Sequence, residues 1–246
     1  VIDILHVLGI QPGDGLLVHS AIQFLGRPAN GPGMYLEAIQ AVIGETGTIA
    51  VPTFNFAFAR RERYDPQNTP SQGMGAFSEY VRQQPAARRT THTMQSLAVI
   101  GRYASELAQL DTPGAFDDGS AFDRILNLDF KLLLLGADIQ YTAMVHYSEQ
   151  RLNVPYRYWK DFSSEILTPD GWQSRTYRMF VRDLQIDPYL VLNPIQEVLE
   201  ARRQWHSQPL NYGKIAACRL VDFVAATDHL LAQDPWALVE NAPSSS

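Results

Sequence analysis

Apolar and polar positions along this chain alternate between a helical and an extended rhythm. Residues 2–8 read as a short helix that ends at Gly9, and Leu16-Leu17-Val18 as a strand running into His19 and Ser20. Tyr35, Leu36, Ile39, Val42 and Ile43 recur at helical spacing, with Gly44 as the stop. Residues 48–51 are β-branched and brief, and Pro52 ends them. Strand–helix–strand order of this kind favours a parallel or mixed sheet with helices on its faces. Between Asn55 and Met74 the rhythm fails: Arg60, Arg61, Glu62 and Arg63 stand beside Pro66, Pro70 and Gly73, which predicts a long loop. A helix over 76–83 follows.

Leu132 to Leu135, stopped by Gly136, reads as the central strand, apolar on both faces, and the helix after it carries His146 and Glu149. From Pro155 aromatic and polar residues alternate, which predicts antiparallel strands with a turn at Asp170-Gly171. A helix over 195–204, a strand over 214–219 and a last helix capped by Asp222 and running to Leu231 complete the pattern. The expected fold is α/β: a mixed central sheet flanked by helices, with a smaller antiparallel β-rich portion in the second half. Residues 1–240 form one domain on this reading, and 241–246 a flexible tail.

Composition narrows the function classes. The 246 residues carry a formal net charge of −6, which repels phosphate backbones and argues against nucleic acid as a partner. Cys218 is the lone cysteine, so no intrachain disulfide is expected, and its apolar neighbours favour a buried small hydrophobe. No apolar run approaches a membrane span, and the first residues lack a signal-peptide pattern, so a cytoplasmic location and no membrane partner are expected.

Candidate chemistry centres on His146. On a helix Glu149 shares its face, and Thr142 lies one turn earlier on that side. A carboxylate beside an imidazole orients the ring and stabilises its protonated form, which suits a general base. Spacing alone favours a plain surface ion pair; the place of the helix, after a buried strand, tips the reading towards catalysis, because ligands sit at the carboxyl ends of such strands. A helical zinc site needs a second imidazole four residues on, and none is there, so no metal is expected. His19-Ser20 ends a strand before the glycines Gly26, Gly31 and Gly33, a setting that suits a phosphate or an extended polar chain, although a buried structural histidine fits the spacing as well. Residues 88–96 gather Arg88, Arg89, His92 and several hydroxyls, a set suited to a diphosphate or to a solvated loop. Asp117, Asp118 and Ser120 precede a helix near Ala121, where caps are expected; the functional alternative is an acidic hold on a substrate amine.

Taken in order, these pieces resemble the aminoglycoside 3-N-acetyltransferase family. The likeness runs from Leu5 to about Leu238. It comprises Leu8-Gly9-Ile10-Gln11-Pro12-Gly13-Asp14 leading into Val18-His19-Ser20, then Gly47-Thr48-Ile49 with Val51-Pro52-Thr53. Tyr64-Asp65-Pro66 with Thr69-Pro70-Ser71 and Gly73 follows, then Arg89 with His92 and Ser96, then Gly119-Ser120. Leu133-Leu134-Leu135-Gly136 with Thr142, His146 and Glu149 closes the series. The chain departs from the family pattern at Ala21, where a second Ser is usual, and at Thr93 and Ala121, where Pro is common.

The resemblance implies direct transfer of an acetyl group from acetyl-CoA to a small-molecule amine of an aminoglycoside or related amino sugar, and it leaves a homodimer open. His146, oriented by Glu149, would take the amine proton. His19, Ser20, Ala21, Arg89, His92, Ser96 and Thr142 would hold the CoA, and backbone N–H groups near Ser20 would steady the oxyanion. Asp118, Ser120, Tyr64 and Asp65 would meet the acceptor. The competing functions are an acyltransferase of a biosynthetic pathway, acting on a surface-sugar or siderophore-type amine, a hydrolase in which His146 activates water, and a relative that binds CoA without catalysis. The arginines Arg151, Arg157, Arg175, Arg178 and Arg182, set among Glu165, Asp170, Asp183 and Asp187, weigh against a dedicated polycation site.

Overall fold

The computed structural model describes residues 1–26 and 28–242. In chain order the first half comprises α1 (Ile2–Val7), β1 (Gly15–Ser20), α2 (Gly33–Ile43), β2 (Thr48–Pro52), α3 (Gly75–Arg82), β3 (Arg88–Arg89) and β4 (Leu97–Gly101). After α4 (Ala104–Leu107) come α5 (Ala121–Asn127), β5 (Lys131–Leu135), α6 (Val145–Arg151), β6 (Arg157–Thr168) and β7 (Gly171–Arg182). The chain then forms α7 (Asn193–Ala201), β8 (His206–Leu210), β9 (Gly213–Arg219) and α8 (Leu220–Gln233).

Seven strands form one sheet in the order β3-β4-β2-β1-β5-β9-β8, and β6 with β7 forms a separate antiparallel ribbon. β1 runs parallel to both β2 and β5, while the outer pairings are antiparallel. The expected architecture is therefore present, and its cause is visible in the centre. Leu132 to Leu135 are all fully buried and alternate between two cores: Leu132 and Leu134 face the helices α5 to α8, Leu133 and Leu135 face α1, α2 and α3. Burying each such side chain is worth roughly 1.5–3 kcal/mol, so this strand anchors both layers. Among the described residues no helix is long and apolar enough to cross a membrane, and Cys218 is buried, as its neighbours implied.

Several details differ from the sequence expectation. β3, β4 and β8 appear where no strand was expected. β8 contains Pro209, which a strand tolerates only at an edge, and β8 is the sheet's last strand. Thr168 pairs with Gly171, so Pro169 and Asp170 form the ribbon's turn. Asp222 does not cap α8; Arg219 holds that position, and Asp222 accepts a hydrogen bond from Gln204 Nε2 at 2.8 Å. Helix α7 begins at Asn193 and ends at Ala201, ahead of the expected limit. Of the expected tail, Asn241 accepts from Tyr189 N at 2.7 Å and donates to Asp187 O at 3.0 Å, while residues 243–246 lie outside the described residues.

Two imidazoles are buried in this frame. His19, near the end of β1, and His92, between β3 and β4, are both buried, and desolvation pulls each down to about 4. Each is neutral in the folded state, so its contribution is complete above the ordinary value of 6.5 and is lost as pH falls towards about 4. The penalty is on the order of 3 kcal/mol per histidine at the acid end. Denaturant midpoints should therefore fall between pH 6.5 and 4, and more gently in His92→Gln. An unchanged slope in that variant would count against a buried, neutral His92. Packing of β2 on β4 supplies a second test: Gly101 has φ +113°, and a Cβ there would lie 2.2 Å from Gly47 O. Gly101→Ala should cost about 1–3 kcal/mol by urea unfolding, and an unshifted midpoint would contradict that register.

Candidate active site

The site is assembled where the central strands end. After Leu135 the chain turns at Gly136, whose φ is +75° and whose Cβ, if present, would lie 2.7 Å from Ala21 O. A short 3-10 turn over Ile139–Tyr141 follows, capped by Asp138 Oδ1, which accepts from Gln140 N at 2.9 Å. Helix α6 then buries Val145, Tyr147, Ser148 and Glu149 and leaves the His146 side chain 30% exposed.

His146 Nδ1 lies 2.5 Å from Glu149 Oε2, and the Glu149 side chain is fully buried. Arg157, the first residue of β6, places Nε 2.9 Å from the same carboxylate oxygen. Burial pushes the Glu149 carboxyl up, but the charge and hydrogen bond of His146, together with Arg157, hold it below the usual carboxylate value. Tyr156 is fully buried beside them, and its phenol is pushed up by burial and then by the Glu149 charge. With Glu149 ionised and able only to accept, Nδ1 carries the proton and donates a hydrogen bond to the carboxylate. The lone pair is then on Nε2, which has no hydrogen-bond partner among the described residues.

His146 stands where clefts meet. On one side is a cleft of about 340 Å³ lined by Phe54, Phe116, Phe162, Phe180, Gln150 and Arg157, among others. On the other is a cleft of about 230 Å³ that includes His19, Pro52, Met74, Tyr141 and Thr142. His146 and Phe54 line both. A third cleft, about 340 Å³, continues from the second past His19, Ser20, Ala21 and Gly75, sharing His19, Pro52, Met74 and Tyr141 with it. A bent groove thus crosses the carboxyl ends of β1, β2 and β5, with His146 at its elbow.

The sequence candidates distribute unevenly around this groove. His19, Ser20, Ala21 and Thr142 line its second and third segments. His19 Nε2 accepts from Ala143 N at 3.4 Å and so ties β1 to the approach of α6. Ser20 Oγ and Thr142 Oγ1 are buried and have no hydrogen-bond partner among the described residues. The Ala21 N–H, one of the amides expected to face an oxyanion, instead donates to Leu135 O at 3.0 Å.

Arg89, His92 and Ser96 turn their polar groups inward. Arg89 donates to Ser96 Oγ at 2.9 Å, to Thr69 O and to Thr53 O, and its guanidinium lies 5.1 Å from the centre of the Tyr64 ring. His92 Nδ1 accepts from Gln95 N at 3.1 Å, and its ring packs on Tyr177 at 4.9 Å. These side chains fasten the long loop to the sheet and present Gln95 to the first cleft. Tyr64 is fully buried under Arg89, and Asp65 accepts from the backbone N–H groups of Gln67 and Asn68 to shape a turn. Ser120 caps α5 through Asp123 N at 3.2 Å, and Asp118 is exposed. Its neighbour Asp117 accepts from Gln150 Nε2 at 2.8 Å and from Arg178 at 3.0 Å. Sequence reasoning missed Arg157 as the partner of Glu149 and the phenylalanines of the first cleft. Both arise from segments far apart in the chain.

Comparison with known proteins agrees with this architecture. A family model described as aminoglycoside 3-N-acetyltransferase matches residues 17–232. Aminoglycoside N(3)-acetyltransferase III of Salmonella sp is 29% identical over 189 residues, covering 70% of this chain and 66% of that protein, so the match spans just under two thirds of the relative. The structure of AAC-IIIb in a binary complex with CoASH superposes with a TM-score of 0.85 at 21% identity, covering 98% of this chain and 97% of that one. A sisomicin-bound AAC-VIa gives 0.82 at 23% identity, covering 94% and 96%. These likenesses show a shared fold, and the family match, spanning most of the chain, shows that it belongs to the aminoglycoside 3-N-acetyltransferase family.

Proposed function

We propose that this protein transfers the acetyl group of acetyl-CoA directly to a primary amine, with His146 as general base. The observation that carries the reading is the His146–Glu149 pair at the elbow of the groove, with Nδ1 occupied and Nε2 free. The segment past His19, Ser20 and Thr142 suits the acyl donor. Ser20 and Thr142 line it, and their hydroxyls, without a hydrogen-bond partner among the described residues, would turn outward to meet the amides and thioester of a pantetheine arm. The solved relative bound to CoASH shares this fold and supports the assignment. The Phe-lined segment then receives the amine, for which the relatives' names make an aminoglycoside the reference acceptor.

The chemistry follows from this placement. As the neutral amine nitrogen bonds to the thioester carbonyl carbon, His146 Nε2 takes its proton. The resulting imidazolium is stabilised by Glu149, which Arg157 and burial keep fixed in orientation. Collapse of the tetrahedral centre breaks the C–S bond, and the proton returns from His146 to the departing sulfur. Arg157 acts through Glu149 and is a positioning residue, since it touches the carboxylate rather than the base.

Steady-state kinetics on purified variants test these roles. His146→Ala should lower kcat by about 100-fold or more, the scale of general-base catalysis, while KM for acetyl-CoA stays near the wild-type value. Near wild-type turnover would refute the role. Ser20→Ala and Thr142→Val should each raise KM for acetyl-CoA by roughly fivefold with kcat retained, the worth of one hydrogen bond. A fall in kcat alone would place these hydroxyls at the reacting centre instead.

A further inference from the structure

The acceptor segment has walls of a particular chemistry. Phe54, Phe56, Phe116, Phe162 and Phe180, with Met179, supply most of its surface, and no carboxylate is among its lining residues. Phe116 packs edge-on against His146 at 5.9 Å, so the phenyl wall extends to the base itself. The charged side chains that do line the cleft are Arg157 and Arg182. Arg157 and Arg182 stand directly opposite each other across the ribbon. Such a like-charged pair is unfavourable unless each is compensated. Glu149 compensates Arg157, whereas Arg182 has only an exposed contact with Asp187 at 3.3 Å.

Three carboxylates near the cleft are paired with other groups. Asp117 is held by Arg178 and Gln150, Glu165 by Arg63, and Glu62 by Arg60. Asp118 and Asp183 have no arginine partner among the described residues, and neither lines the cleft. A polycation entering here would lose water from several ammonium groups without meeting compensating charges, which is costly. Ring faces can hold one ammonium, but not a set of them. An apolar wall also favours the neutral, nucleophilic form of a single amine, because desolvation disfavours its charged form. The cleft's volume, about 340 Å³, lies near the small end of ligand sites.

We propose that the acceptor is a compact amine borne on an aromatic body with a single positive charge, and that Arg182 receives an acidic group where the acceptor carries one. This rests on the transferase reading above and departs from the polycationic acceptors that the relatives' names denote.

Calorimetry on the CoA-bound protein tests it with 2-phenylethylamine, phenylalanine and a 2-deoxystreptamine aminoglycoside as probes. The aromatic amine should bind about tenfold tighter than the aminoglycoside or more, an anchor-sized difference, and its affinity should change little as salt is raised. Phenylalanine should bind tighter still, and Arg182→Gln should remove that gain while leaving 2-phenylethylamine binding intact. Phe56 is partly exposed, so Phe56→Asp should fold and should shift preference towards the aminoglycoside. Tighter binding of the aminoglycoside to the wild-type protein, or no binding of the aromatic amine, overturns the proposal. Acetyl transfer is read separately by CoA release from acetyl-CoA. An aromatic amine that binds without releasing CoA defeats the transferase reading while supporting the chemistry of the cleft.

Discussion

A carboxylate with no exposure to water holds this site together. Taking Glu149 out of solvent costs roughly several kcal/mol, and His146 and Arg157, converging on Oε2, offset it, while Oε1 has no hydrogen-bond partner among the described residues. The two partners come from different parts of the fold: His146 from the helix that follows the central strand, Arg157 from the start of the ribbon. Their shared dependence on one charge fixes the imidazole's orientation and docks the ribbon onto the sheet domain in the same stroke. Loss of either partner leaves a buried charge half-compensated, a change worth about 3–5 kcal/mol in comparable buried pairs.

The sheet explains why the elbow of the groove falls where it does. β1, β2 and β5 run parallel, so their carboxyl ends open on one side, and the chain leaving each must turn away. Gly136 permits the sharpest of those turns by tolerating a close approach to Ala21 O. The turn leads to Thr142 and Ala143, where His19 accepts the Ala143 amide and locks the end of β1 to the approach of α6. Strand packing, a glycine and one imidazole hydrogen bond thus set the distance between the segment past His19 and Ser20 and the His146 ring. The ribbon then closes the first cleft with Phe162, Met179, Phe180 and Arg182.

Much of this was written locally and was legible as such. The uninterrupted leucines of β5, the helical spacing of α2 and the alternation of the ribbon each encode their element in consecutive residues. The His146–Glu149 pair was equally legible, since helical geometry alone brings positions three apart together. What escaped was whatever depends on distant segments or on concealed patterning. β4 is a short apolar run beside a polar, hydroxyl-rich stretch, and β8 is polar with an internal proline, so neither shows an extended rhythm of its own. Arg89 and His92 have the composition of a phosphate site, but folding spends their polar groups on Thr53, Thr69, Ser96 and Gln95. Arg157 looked like any other arginine of the ribbon, because its partner is set by tertiary packing. The phenyl walls of the first cleft likewise draw on four separate stretches of chain, none of which stands out alone.

On the reading proposed above, Glu149 holds the His146 ring with its proton on Nδ1 and its lone pair on Nε2. Nitrogen NMR of selectively labelled histidine, with His146 assigned by its absence from the His146→Ala spectrum, reads that tautomer directly at a pH where the ring is neutral. The Nδ1–H form is expected in the wild-type protein, with its loss as the sole tautomer in Glu149→Gln. An Nε2–H ring in the wild type, with Nδ1 unprotonated, would contradict it.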